Sequence, residues 1–195
     1  MSKLLLPIQL ILISLLTVSC GIQSIPKAKN AIEANLAEVT NQYKRRADLV
    51  PNLVNTVKGY ASHEKETLES VINARAKATA TTIDPSKATP EQIMAFQKAQ
   101  GQLSQALGKL MMVSERYPDL KASTNFLELQ ASLEGTENRI AVARNRYIQA
   151  VNNFNNLILV IPTKWTNDFY FKFAKAAQFS VDPSENVDKV PEVKF

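Results

Sequence analysis

"RRADLVPNLVNTVKGYASHE", Arg45–Glu64, has apolar residues at helical spacing, a proline in the middle and the chain's only histidine near the end. Counting in sevens outward from it places Leu36, Val39, Tyr43, Arg46, Val50, Leu53, Val57, Tyr60, Glu64, Thr67, Val71, Ala74 and Ala78 on one stripe. The three-four alternation passes Pro51 without losing phase. Proline removes one helical hydrogen bond and usually kinks a helix, but it need not end it. The spacing therefore predicts one long helix over 29–81, kinked at Pro51. The alternative is a break at Asp48–Pro51, with Asp48 as a cap and the first part folded back.

Downstream, "TTIDPSKATPEQ" (81–92) reads as a loop, with Thr89 as a cap and Pro90 in the first turn of a new helix. The same alternation then runs through Ile93, Phe96, Gln100, Leu103, Leu107, Leu110, Ser114 and Tyr117. "YPDLKAS" (117–123) turns the chain. The next helix carries Phe126, Leu129, Leu133, Thr136, Ile140, Ala143, Tyr147, Ala150, Phe154, Leu157 and Ile161, and Pro162 ends it. A short aromatic helix over 163–177 is expected next, with Trp165, Phe169 and Phe173 on one face against Phe154 and Leu157, and Phe171 pointing elsewhere. The rival reading of these rings is a membrane-interface belt beside Lys172 and Lys175. No strand pattern occurs. The pattern predicts an all-α, up-and-down four-helix bundle with long, coiled-coil-like helices.

The 195 residues suit one domain, and five glycines with few β-branched runs favour helix. A net charge of +5 is spread along the chain rather than clustered, which argues against a nucleic-acid surface. "MSK" gives a positive start, and "LLLPIQLILISLL" (Leu4–Leu16) is apolar but shorter than the roughly 20 residues that span a bilayer. It suits a secretion signal. "TVSCG" places the single cysteine, Cys20, just after it, resembling the box at which bacterial lipoproteins are cut and lipidated. Val18, Ser19 and Cys20 fit that box, and Thr17 departs from it. An uncleaved anchor helix is the alternative. The division expected is a signal over 1–19, a lipidated anchor and linker over 20–28, a bundle over 29–180 and an irregular tail over 181–195. Either anchor holds the chain at a membrane, on the outer side of the cytoplasmic membrane or at an outer membrane.

Three stretches carry a resemblance to the LemA family of bacterial envelope proteins: "KRRADLVPNLVNTVKGYASHEKETLESVINAR" (44–75), "SERYPDLKASTNFLELQASLEGTENRIAVARNRY" (114–147) and the ending "KVPEVKF". The resemblance implies a tethered four-helix bundle without an established enzymatic activity. It also implies kinship with proteins associated with shaping intracellular membranes in magnetosome-forming bacteria. Ile148 departs from the family's usual Asn after the tyrosine. The lipoprotein-like start departs from a plain transmembrane helix.

Catalytic and metal readings find little support in the residues. A di-metal bundle needs two Glu-x-x-His motifs, and this chain has one histidine, His63. Glu134 and Glu137 lie one turn apart beside Arg139 and Arg144 and read as ion pairs. No catalytic residue, metal ligand or cofactor is assigned. Pairing the helices outward from their turns, with Ala78 opposite Ile93 and Tyr117 opposite Phe126, places Glu64, Thr67 and Thr136 in one layer. Gln130, Glu137 and Arg144 then lie on the flanking stripe. A buried carboxylate must find partners, so this layer reads as a register device, or else as a ligand site. The same pairing leaves Leu36, Val39 and Tyr43 without partners, as a stalk for another protein or another copy of this chain.

These readings lead to a non-enzymatic, membrane-tethered envelope scaffold or adaptor that engages a membrane-protein partner. The alternative is a ligand-sensing bundle using the polar layer.

Overall fold

Helix α1 runs unbroken from Ser2 to Tyr60 and includes Pro51. The computed structural model describes residues 2–179, and the side chains of residues 22–179. Four residues, Ala61–Glu64, reverse the chain into α2 (Lys65–Ala80). α3 (Pro90–Ser114) follows, then the single turn α4 (Pro118–Lys121), the long α5 (Thr124–Leu159) and one turn of α6 (Thr163–Thr166). A π-helical turn, Asn167–Phe171, ends the helical part, with Lys172 in the left-handed region. The described residues are all-α, without a strand.

Neither expectation for the first helix holds. It does not continue to residue 81, and it does not break at Asp48–Pro51. The break falls ten residues later, where Gly59 and Ser62, poor helix formers, flank Ala61. Glu64 closes the turn: its N–H donates to the Ala61 carbonyl at 3.1 Å, and its carbonyl accepts from Leu68 at 3.1 Å. The seven-residue count survives because both helices have an inward stripe, yet the phase slips across the turn. Val57, Ala61, Leu68 and Val71 are the buried residues, while Tyr60 is exposed.

Successive long helices alternate in direction. Arg75 of α2 reaches back to Ala47 of α1, and Gln100 of α3 reaches Ala78 of α2. Arg46 meets Glu137 of α5, while Lys29, nearer the start of α1, lines a cleft with Phe154, nearer the end of α5. α1 and α5 therefore lie antiparallel along their length. The expected register of α2 on α3 is wrong by about two turns. Gln100, not Ile93, faces Ala78, because α3 begins beyond the end of α2. A reciprocal capping box starts it there, Thr89 Oγ1 accepting from Gln92 N–H at 3.2 Å and Gln92 Oε1 from Thr89 N–H at 3.0 Å.

That overhang removes the stalk. Leu36, Val39 and Tyr43 are buried against Ile93, Phe96, Ile140, Ala143 and Tyr147. Tyr43 meets Phe96 edge to face at 5.3 Å. Packing begins by Ile25 and Ala28, both buried, so the segment expected as a linker over 20–28 enters this core at its downstream end. The second half of the core gathers Val50–Ala61, α2, the later part of α3 and the start of α5.

The expected helix over 163–177 is also corrected. Only residues 163–171 are helical, and a strap over 172–179 runs back along α5. Asn155 holds it at both ends of one carboxamide: Nδ2 donates to the Ala176 carbonyl at 3.1 Å, and Oδ1 accepts from Ala176 N–H at 2.9 Å. Tyr147 Oη donates to the Ala177 carbonyl at 2.8 Å. Phe173 packs on Phe154 at 6.0 Å as expected, but Phe171 stacks on Phe173 at 5.4 Å rather than pointing away. Phe179 covers Tyr147 at 4.8 Å. Trp165 and Phe169 stay exposed, and because the helical part ends at Phe171 the three rings do not share one inward face. Phe195 and the tail over 181–195 lie outside the described residues.

Candidate functional site

The two halves of the core meet at an arginine. Arg46 occupies a core slot of α1 at 1% exposure. Nη1 donates to Ser104 Oγ at 2.7 Å and to Glu137 Oε1 at 3.0 Å. Nη2 donates to the Gln100 carbonyl at 3.0 Å and to its Oε1 at 2.7 Å. Gln100 in turn donates Nε2 to the Ala78 carbonyl at 3.2 Å. One guanidinium thus ties α1 to α3 and α5, and through Gln100 to α2. Its Nε is buried without a partner.

Tyr43, one turn earlier, lies under the guanidinium, its ring centre 4.9 Å from Arg46 Cζ. Burial pushes the Tyr43 phenol above its usual range, opposed by the positive charges of Arg144 and Arg46 and by a hydrogen bond with Arg144. Beside these groups a cleft of about 220 Å³ opens, lined by Arg46, Gln100, Ser104, Gln105, Glu137 and Arg144 among others. Glu137 is 41% exposed, so the Arg46 pair reaches solvent at its acidic end.

Of the residues assigned to a polar layer, only Glu137 and Arg144 come together here. Thr136 is fully buried nearby but bonds the Ser132 carbonyl of its own helix at 2.8 Å and accepts from Arg139. Gln130 donates to Glu134 at 3.0 Å on the exposed side of α5. Thr67 is half-buried on α2. Glu64 lies at the turn, where Oε1 accepts from Tyr117 Oη at 3.2 Å and pairs with Arg116 at 3.0 Å. The reversal at 61–64 moves it there, away from Thr136. His63 is exposed in the same turn.

Arg46 is the residue that the layer was missing. The signal was its place in the repeat, an arginine where the slots on either side are Tyr43 and Val50. A charge in a core slot requires acceptors, and Gln100 occupies a core slot of α3.

The residues that build this site fall within a match to the family model described as the LemA family, over residues 35–195. The chain belongs to the LemA family. It is 28% identical over 167 residues to the protein LemA of Metamycoplasma hominis, covering 80% of this chain and 71% of that one. It is 34% identical over 89 residues to the magnetosome proteins MamQ 1 and MamQ 2 of Paramagnetospirillum magneticum, 44% of this chain and 31% of each of theirs. The LemA-family match begins after Cys20, whose side chain lies outside those described. Among the described residues no helix is long and apolar enough to cross a membrane. Nor does any group of three or more His, Cys, Asp and Glu side chains among them suit a metal ion.

Proposed function

We propose that this LemA-family chain is a non-enzymatic scaffold of the bacterial envelope. In this reading α1, α2, α3 and α5 form an up-and-down four-helix bundle, tethered to a membrane by its N-terminal segment and engaging a membrane-protein partner. The observation that carries it is the continuity of α1. The helix that bears the apolar run Leu4–Leu16 is the helix whose residues Ile25 to Val57 line the core. If that run is kept as an anchor, tether and domain are one rod. Cys20, if lipidated, stands five residues before the buried Ile25, about 7–8 Å of helix, so the bundle abuts the membrane rather than hanging from a flexible leash.

Multiple acyl chains are needed for stable anchoring, and a processed lipoprotein cysteine would carry more than one. Cys20→Ser is expected to release the mature domain from membranes or to leave a larger, uncut precursor. An unchanged size and membrane partition would replace the lipid with an anchor helix. The scaffold itself is tested by photo-crosslinking in cells from exposed sites on the bundle, such as Met94, Met112, Leu127 and Val142. One recurring adduct with a membrane protein, lost when the tether is removed, supports it. Absence of any discrete adduct counts against it.

A ligand-binding role is the second reading, favoured by the buried, unpartnered Nε of Arg46 beside the cleft that Arg144 also lines. A small anion is the chemistry that two arginines would accept. Thermal stabilisation by inorganic phosphate, abolished by Arg144→Ala, would support it.

A further inference from the structure

The exposed large apolar side chains are unevenly distributed. Seven of the thirteen among the described residues are Ile22, Leu159, Val160, Ile161, Trp165, Phe169 and Tyr170. Trp165 is 57%, Phe169 80% and Tyr170 69% exposed. The antiparallel pairing of α1 with α5 brings the end of α5 level with the start of the described α1 side chains, and α6 packs against both helices. All seven therefore lie at the end of the molecule from which α1 continues toward Ser2. Lys27, Lys172 and Lys175 are exposed at or near this end, and its acidic Asp168 is paired with Lys164. Large apolar side chains exposed together at one end of a monomer point to an interaction site. Large aromatic rings rimmed by lysines match the level of lipid headgroups, where rings sit half in hydrocarbon and ammonium groups meet anionic lipid.

We propose that this end of the bundle is a membrane-interface surface, with Trp165, Phe169 and Tyr170 inserted at headgroup depth beside the tether. Its occupant is the bilayer itself, since α1 carries both candidate tethers, Cys20 and the apolar run Leu4–Leu16, away from this same end. The inference rests on the tethered reading above and adds a second, independent attachment. Two attachments at one end fix the tilt of the bundle, whereas a single tether leaves it free to swing.

Trp165 is the chain's only tryptophan, so its fluorescence reports on this surface alone. The full chain is reconstituted into phosphatidylcholine–phosphatidylglycerol vesicles containing lipids brominated just below the headgroup. The expected result is strong quenching of Trp165 by the brominated lipid and weak quenching by aqueous iodide. In Phe169→Ser/Tyr170→Ser the chain should still float with the vesicles while most of the lipid quenching is lost. A chain that floats with the vesicles but leaves Trp165 open to iodide and untouched by the lipid overturns this surface and leaves the tether standing. Shielding from both quenchers means that protein covers the patch, a second copy included, and overturns it equally. A chain that does not float overturns the tethered reading and this surface with it.

Discussion

Arg75 Nε donates to the Ala47 carbonyl at 2.8 Å, and Ala47 is the residue four before Pro51. Proline has no N–H, so the Ala47 carbonyl lacks its helical partner. Ala47 is buried, and an unmet carbonyl there is costly. Arg75, on the helix that folds back, supplies the missing donor from outside. The reversal at 61–64 thus brings in the donor that Pro51 removes. Arg75→Ala should destabilise the fold by about 1–3 kcal/mol. In the background of Pro51→Ala, which restores a helical donor, the same change should cost measurably less. Denaturant unfolding of the four proteins of this double-mutant cycle measures the coupling, and additive effects would separate the two residues.

Arg46 and Glu64 should differ sharply in their importance. Arg46→Ala leaves two acceptors of the buried Gln100 without their donor and the partly exposed Glu137 without its cation, and should cost about 2–5 kcal/mol. Glu64→Ala removes a contact to the well-exposed Arg116 and one to Tyr117, and should cost about 1 kcal/mol. Equal losses of denaturant midpoint would mean that the turn matters as much as the core arginine.

Stability should fall in strong base. Burial pushes the Tyr147 phenol from its ordinary value of 10.0 up to about 12. Between those values the unfolded chain has lost the proton and the folded chain retains it, so the folded state loses ground as pH rises. The contribution is complete below about pH 10 and gone by about pH 12. Tyr147→Phe should flatten that decline while giving up the bond to Ala177. Thermal melts across this range, wild type against variant, test it.

The strap over 172–179 should detach before the helices unfold. Its backbone is held by side chains, Asn155 and Tyr147, rather than by a helix or sheet. Asn155→Ala should speed hydrogen exchange at Ala176 and leave exchange in α1 and α5 unchanged. Acceleration throughout the protein would mean that the strap and the core open together.

The inward stripes of the long helices were legible because burial imposes a three-four spacing on each, and Thr89 with Pro90 advertised the start of α3. The reversal at Ala61 was not legible. An antiparallel neighbour demands the same spacing as a continuing helix, and a four-residue turn disturbs the count by a single position that Val71 restores. That misplacement carried Glu64 and Thr67 into a layer they do not occupy. Glu137 and Arg144 were found because the spacing of α5 holds from Phe126 to Phe154, although the helix ends at Leu159 and leaves Ile161, expected on the inward stripe, exposed. Arg46 lay in view as a charge in a core slot, but its acceptors are 54 to 91 residues away, and only the true register of α3 and α5 supplies them. The aromatic end was misread for a different reason, since no spacing rule anticipates a switch from α to π winding.

Energy transfer from the protein to a labelled membrane tests the upright, tethered bundle most directly. With the full chain in vesicles carrying acceptor dye at their surface, donors are placed in turn at Lys27, on α1 close to where the bundle core begins, and at Ser62, in the turn just beyond the end of α1. About 1.5 Å of rise per residue separates these positions by roughly 50 Å. The account predicts efficient transfer from Lys27 and little from Ser62. Equal transfer from both would place the bundle flat on the membrane, and none from either would place it away from the membrane. Each contradicts the account.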